Sequence, residues 1–257
     1  MKTVAMIPAR YAATRFPAKL MQVLGKKTVI RHTYDNTAGT GLFDQVVVVT
    51  DSELIYREIV DHGGAAVMSK RPHESGTDRI AEAAADMEVD IVVNVQGDEP
   101  FVRREPLEML LALFRAKDGG RGQAKDRGQV RGEDGGQVQV ASLVQVLKER
   151  RFINDPNYVK VAMDKNNNAL FFSRSVIPYP RDPAAVAVYY EHIGVYAFRK
   201  EALLRFTSWP VSPLEAMERI ECLRYLENGV PIRMAITNYM GVEIDTPEDL
   251  ERAARLL

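Results

Sequence analysis

The stretch Val4-Ala5-Met6-Ile7-Pro8-Ala9-Arg10 decides how the rest of the chain is read. Four apolar residues stop at Pro-Ala-Arg, and a run of that length reads as a strand buried on both faces. The chain then continues Tyr11-Ala12-Ala13-Thr14-Arg15-Phe16-Pro17-Ala18-Lys19. Small residues dominate it, no helical or strand period is present, and with Arg10 it carries three cations. Many α/β proteins receive phosphates where a strand empties into such a loop, because backbone N–H groups and cationic side chains converge there. Arg supplies planar bidentate donors and Lys a mobile point charge. The same residues would also serve as an ordinary surface loop.

Working outward, the first half alternates. Residues 28–38 have helical spacing, 45–50 form a β-branched run, and a helix starts at Asp51 or Ser52 and ends near Gly63-Gly64. A short strand at 65–69, a helix at 76–86, a strand at 91–95 and a helix at 105–117 follow. This order predicts an α/β fold of three layers, with a mixed, mostly parallel central sheet between helices. From Asp118 to Val138 the sequence turns to Gly, Gln and charge, which predicts a flexible insertion. Beyond it, 158–163 and 169–172 flank Asp164-Lys165-Asn166-Asn167-Asn168 as a hairpin, and 189–198 is a long strand. Ser212-Pro213-Leu214-Glu215 starts a helix expected to run to Asn228. A strand at 232–237 precedes a last helix opened by Thr246-Pro247-Glu248-Asp249. The expectation is one domain over 1–257.

Bulk properties narrow the function. A chain of 257 residues buries roughly 70–75% of its unfolded surface, enough for a full core. Net charge is −1, so nothing global draws it to nucleic acid or anionic lipid, and any anion site must be local. Cys222 is the only cysteine, which excludes an internal disulfide and suits a reducing compartment. No apolar run matches a membrane span or a secretory signal, so a cytoplasmic location is expected. One Cys and four His offer no zinc spacing, and no Walker A, GxGxxG or GxSxG motif occurs. Direct attack of a substrate hydroxyl on phosphorus is then the simplest chemistry, with cations neutralising the developing charge.

Several side chains could carry it. Asp98 follows Gly97 at the end of a strand, where a carboxylate suits Mg²⁺, though Gly-Asp is also a plain turn. Asp245 precedes the Thr246 cap and could share that metal or merely complement the helix dipole. Ser75 and Thr77 flank Gly76 at a helix start, an anion or sugar site or a simple cap. Arg174 and Arg181 bracket a Pro-rigid segment and could grip a carboxylate. His192 and Tyr196 lie four apart on a strand and so share a face. Glu221 is expected mid-helix.

Seven blocks in order carry a resemblance: Ile7 to Lys19, His73 to Arg79, Val93 to Pro100, Phe172-Ser173-Arg174, His192 to Tyr196, Ser212 to Glu215, and Asp245 to Leu250. Together they resemble the 3-deoxy-manno-octulosonate (Kdo) cytidylyltransferases. The resemblance implies a nucleotidyltransferase fold, a homodimer and a sugar-binding and dimerisation portion at about 155–230. It implies transfer of CMP from CTP to Kdo with Mg²⁺, serving lipopolysaccharide synthesis. By similarity Arg10, Lys19 and Asp98 are catalytic, with Arg10 and Lys19 on the triphosphate, and Asp98 with Asp245 binds Mg²⁺. Arg15, Ser75, Gly76, Thr77, Gln96, Arg174, Arg181, His192, Tyr196 and Glu221 are implied to bind substrate. The sequence departs from that family at four points. Ala18 replaces a usual Gly, Glu243-Ile244 replaces Gly-Val or Gly-Ile before Asp245, the 118–138 insertion is extra, and Cys222 replaces a Gln. The last leaves sialic acid or an amino form of Kdo as alternative sugars. A non-catalytic nucleotide-binding protein is the alternative from another class.

Overall fold

The computed structural model describes residues 1–12, 16–73, 75–115, 137–182, 184, 186–239 and 241–257. Arg15 and nearly all of the expected 118–138 insertion lie outside the described residues. In chain order the elements are β1 (Thr3–Ala9), a 3-10 turn (Lys19–Met21), β2 (Val23–Leu24), β3 (Lys27–Thr28), α1 (Val29–Gly39), β4 (Gln45–Thr50), α2 (Glu53–Val60), β5 (Ala66–Met68), α3 (Gly76–Ala85), β6 (Ile91–Asn94) and α4 (Arg104–Arg115). There follow β7 (Val140–Leu147), α5 (Arg150–Asn154), β8 (Lys160–Met163), β9 (Ala169–Ser173), β10 (Tyr189–Arg199), α6 (Lys200–Ser208), α7 (Pro213–Glu218), α8 (Leu223–Glu227), β11 (Ile232–Ile236) and α9 (Pro247–Ala254).

These elements fall into two compact units. The first comprises Met1–Leu107, Gly194–Thr207 and Tyr239–Leu257. Its strands run β6-β1-β4-β5, all parallel, with Ala5 opposite Val93 on one side and Ile7 opposite Val48 on the other. The second half of β10 pairs antiparallel with β6, Tyr196 opposite Asn94, so the sheet is mixed and mostly parallel. Val4 to Ile7, Val47 to Val49 and Ile91 to Val93 are fully buried. That two-sided burial is why these strands read as continuous apolar runs rather than alternating ones. Because β1 and β6 are parallel neighbours, the loops that leave Ala9 and Asn94 emerge at the same end of the sheet.

The second unit comprises Glu108–Ile193 and Ser208–Asn238. Here β11 runs parallel to β7, while β8 and β9 form the expected hairpin, turning through Asn167 in the left-handed region at φ 59°. The first half of β10 pairs with β8, Tyr190 opposite Val161.

The helix expected from Pro213 to Asn228 is two helices. Ser212 precedes α7 and its N–H donates to the Glu215 carboxylate at 3.2 Å, but Arg219 turns left-handed at φ 56° and ends the helix. Arg174 takes up the freed carbonyls of Glu218 (Nε–O 2.7 Å) and Arg219, while Arg224 on α8 closes back on Glu215 as a buried two-point ion pair at 2.7 and 2.5 Å. The planar guanidinium and carboxylate geometry fixes the corner. Glu221 therefore lies in the connection before α8, not in the middle of a helix.

Candidate active site

Three backbone devices assemble the site within the first unit. The first is the turn before Lys19. Ala18 adopts φ 52°, ψ 31°, and the N–H of Met21 donates to the Ala18 carbonyl at 2.8 Å. Leu20 is buried and anchors the turn, and the neighbouring Lys19 reaches Asp98 and Asp245. The second is Gly97. A Cβ there would lie 3.1 Å from the Pro8 carbonyl and 3.2 Å from Ile30 and Leu20, so a side chain at this position would push the loop after β6 a few tenths of an ångström off the end of β1. Thr33 on α1 donates to the Gly97 carbonyl at 2.9 Å and holds it there. The third brings in the far end of the chain: the Ile244 N–H donates to the Asp98 carbonyl at 3.0 Å. Thr246 and Asp249 form a capping box at the start of α9, and Asp249 also accepts from the Asp245 N–H at 3.1 Å.

The result is a carboxylate cluster around an ammonium group. Lys19 Nζ donates to Asp98 and, at 2.7 Å, to Asp245. Asp98, Glu243 and Asp245 each offer an oxygen within 4.8 Å of the other two. Burial works against the Lys19 charge, but Asp98 and Asp245 more than offset it, and its pKa is raised. Glu243 remains exposed as a whole residue, yet protein atoms crowd its carboxyl. That crowding, with the Asp98 and Asp245 charges, raises its pKa to about 7. Glu99 is pushed to about 8 by burial and then by Asp98 and Glu243. An acidic cluster with a cation seated on it has the donor chemistry of a hard divalent-ion site, and Lys19 stands in for the positive charge. Glu99 was missed as part of this cluster. Beside Pro100 it reads as the end of a turn, and only its burial marks it.

The remaining candidates are spread over both units. Arg10 is exposed at the end of β1. Ser75 caps α3, accepting from the Asp78 N–H at 3.1 Å, and Thr77 is buried. A Cβ on Gly76 would come within 3.1 Å of Pro8, so this helix start also abuts the end of β1. Arg79 of the same motif is an internal brace, bound to Asp51 at 2.7 Å and Ser69 at 2.8 Å. Gln96 donates to the Gly194 carbonyl at 3.2 Å, and Tyr196 stacks on Phe198 with centroids 5.7 Å apart. In the second unit Arg181 is exposed, whereas Arg174 is engaged by the carbonyls named above. His192 Nε2 lies 3.1 Å from Ser142 Oγ, and burial lowers its pKa to about 4, so the ring is neutral. Cys222 is buried at the start of α8. A polar cavity of about 460 Å³ beside α3 is lined by Lys70, His73, Glu82 and Asp86, but not by Lys19, Asp98 or Asp245.

A mostly parallel sheet with Lys19, beyond its first strand, seated on a carboxylate cluster suits an α/β nucleotidyltransferase. Comparison with known proteins narrows the class. A family model described as cytidylyltransferase matches residues 4–236. The 3-deoxy-manno-octulosonate cytidylyltransferase of Flavobacterium johnsoniae is 54% identical over 100% of this chain and 99% of its own. That of Christiangramia forsetii is 51% identical over 100% and 97%. A solved CMP:2-keto-3-deoxy-manno-octonic acid synthetase in complex with CTP superposes with a TM-score of 0.87 at 34% identity, covering 100% of this chain and 98% of that one. The 4-diphosphocytidyl-2C-methyl-D-erythritol synthase of Anaerococcus prevotii shares the fold alone, with a TM-score of 0.60 at 14% identity over 99% and 97%. The chain belongs to the cytidylyltransferase family, among the 3-deoxy-manno-octulosonate cytidylyltransferases.

Proposed function

We propose that this enzyme transfers CMP from CTP to Kdo, giving CMP-Kdo and pyrophosphate for lipopolysaccharide synthesis. The observation that carries the reading is the meeting of Lys19, Asp98 and Asp245, drawn from three distant parts of the chain, at one end of the sheet. In this reading Asp98 and Asp245 hold Mg²⁺, which when bound neutralises phosphate charge and favours loss of a proton from an attacking hydroxyl. Arg10 and Lys19 bind the triphosphate and offset the charge that grows on the departing pyrophosphate, with Arg15 between nucleotide and sugar. Holding the anomeric hydroxyl of the sugar in line with that leaving group supplies the rest of the rate, through orientation.

The sugar side is drawn from Gln96, Tyr196, Arg174, Arg181, His192 and Glu221, with Ser75, Gly76 and Thr77 near the nucleotide. Arg181 is the carboxylate partner: it is exposed, while Arg174 is already engaged. A neutral His192 orients a hydroxyl by hydrogen bonding and contributes no charge. Cys222 keeps two other acidic sugars in play, so the deciding assay compares Kdo with sialic acid and amino-Kdo by kcat/KM. A preference for either of the latter removes Kdo as the substrate.

We read the chain as one catalytic domain carrying the 118–138 insertion, with sugar binding and dimerisation at about 155–230. Exposed apolar side chains in that portion, Leu170, Tyr179, Val186 and Met217, support a homodimer. Sedimentation velocity should then give twice the 28.8 kDa chain mass, and a species of 28.8 kDa at micromolar concentration contradicts it. No helix among the described residues is long and apolar enough to cross a membrane, which accords with a cytoplasmic enzyme.

A further inference from the structure

We propose that Glu243 is a third carboxylate ligand of the cation site, and that it lets this chain take up a divalent ion before any nucleotide is bound. The inference rests on the reading of Asp98 and Asp245 as the metal-holding pair.

The geometry suits it. Around Mg²⁺, neighbouring oxygens of an octahedron lie about 3 Å apart and opposite ones about 4.2 Å apart. The oxygens of Asp98, Glu243 and Asp245 already lie within 4.8 Å of one another, so small side-chain adjustments bring all three onto one ion. The backbone on either side of Glu243 is pinned, by the Ile244 N–H on the Asp98 carbonyl and by the Asp245 N–H on Asp249. The Glu243 carboxylate faces the charges of Asp98, Asp245, Lys19 and Asp249, three of them negative. Lys19 is occupied by Asp98 and Asp245.

Charge points the same way. With a cation holding Glu243 ionised, three carboxylates and one ammonium leave two negative charges, the complement of a divalent cation. Without Glu243 the pocket would carry one. Mg²⁺ sites with one or two carboxylates rely on substrate phosphate oxygens to complete the shell, and so load together with the nucleotide. A third carboxylate relieves that dependence.

The test titrates Mn²⁺ into nucleotide-free protein and follows the free ion by electron paramagnetic resonance. Wild type should bind one Mn²⁺, and Glu243→Gln should weaken it by about tenfold or more, since affinity follows ligand charge count. Glu243→Gly should lose as much, and thermal melts confirm that both variants fold. Adding CTP should narrow the gap. Equal Mn²⁺ affinity in wild type and Glu243→Gln overturns the proposal, as does a wild type that binds Mn²⁺ only when CTP is present. If Asp98→Asn leaves Mn²⁺ binding intact both with and without CTP, the metal pair itself has been misassigned and the proposal falls with it.

Discussion

Ala18 holds a backbone conformation that L-residues adopt at a cost of roughly 1–2 kcal/mol, and that glycine adopts almost freely. It does so immediately before Lys19, whose ammonium must reach Asp98 and Asp245. The departure from the usual Gly at this position is therefore paid in stability, not in geometry. Ala18→Gly should raise the melting temperature by about 2–4 °C, for a net gain near 1 kcal/mol after the larger entropy of an unfolded glycine. An unchanged or lower melting temperature would show that the turn carries no strain. Asp98 and Asp245 make the opposite prediction, because their cost falls on catalysis. Asp98→Asn and Asp245→Asn should each lower kcat/KM by about a hundredfold or more while leaving the melt nearly unchanged. Activity within threefold of wild type in either variant would remove that residue from the machinery. Single residues could be put forward as candidates where chemistry is local, a lone carboxylate after Gly97 and a lysine closing a cationic loop, and the fold brings those two together. Glu99 was not, because nothing in its neighbours announces that its carboxyl would be buried beside two others.

Elements were legible where burial is uniform. β1, β4 and β6 are apolar throughout because both faces are covered, and β4 occupies the expected 45–50. The capping chemistry of Ser212 and Thr246 placed two helix starts correctly. The break at Arg219 was not readable, since it depends on Arg174 and Arg224 arriving from elsewhere to satisfy the ends of α7. Val140–Leu147 went unassigned because it follows directly on the Gly/Gln-rich stretch, although nearly every residue in it is buried. The sequence placed His192 on a strand, but could not foresee its titration. Its pKa falls from 6.5 to about 4 on burial, so the unfolded chain takes up a proton at a pH where the folded one resists it. The stability it contributes is full above pH 6.5 and is lost as pH falls through about 4, up to about 3 kcal/mol. Melting curves from pH 7 to pH 4 should fall less steeply for His192→Asn than for wild type. Parallel slopes would mean that the ring titrates normally.

At the scale of the whole molecule, the site exists because two loops leaving neighbouring parallel strands meet a segment from the far end of the chain. Spacing along the sequence cannot reveal that meeting; the Ile244–Asp98 backbone bond and the close fit at Gly97 produce it. The class of reaction was therefore readable from motifs, while the pairing of Asp98 with Asp245 needed the fold. In the proposed reading Arg181 is the sugar's carboxylate partner; in the second unit Arg181 is exposed and Cys222 is buried. The most direct test of the central claim is to incubate the purified protein with CTP, Kdo and Mg²⁺, measure pyrophosphate release, and identify the product by mass spectrometry. Stoichiometric pyrophosphate and CMP-Kdo, both abolished in Asp98→Asn, are the predicted result. No pyrophosphate across a range of pH and Mg²⁺, or efficient turnover only with a different acidic sugar, would contradict it.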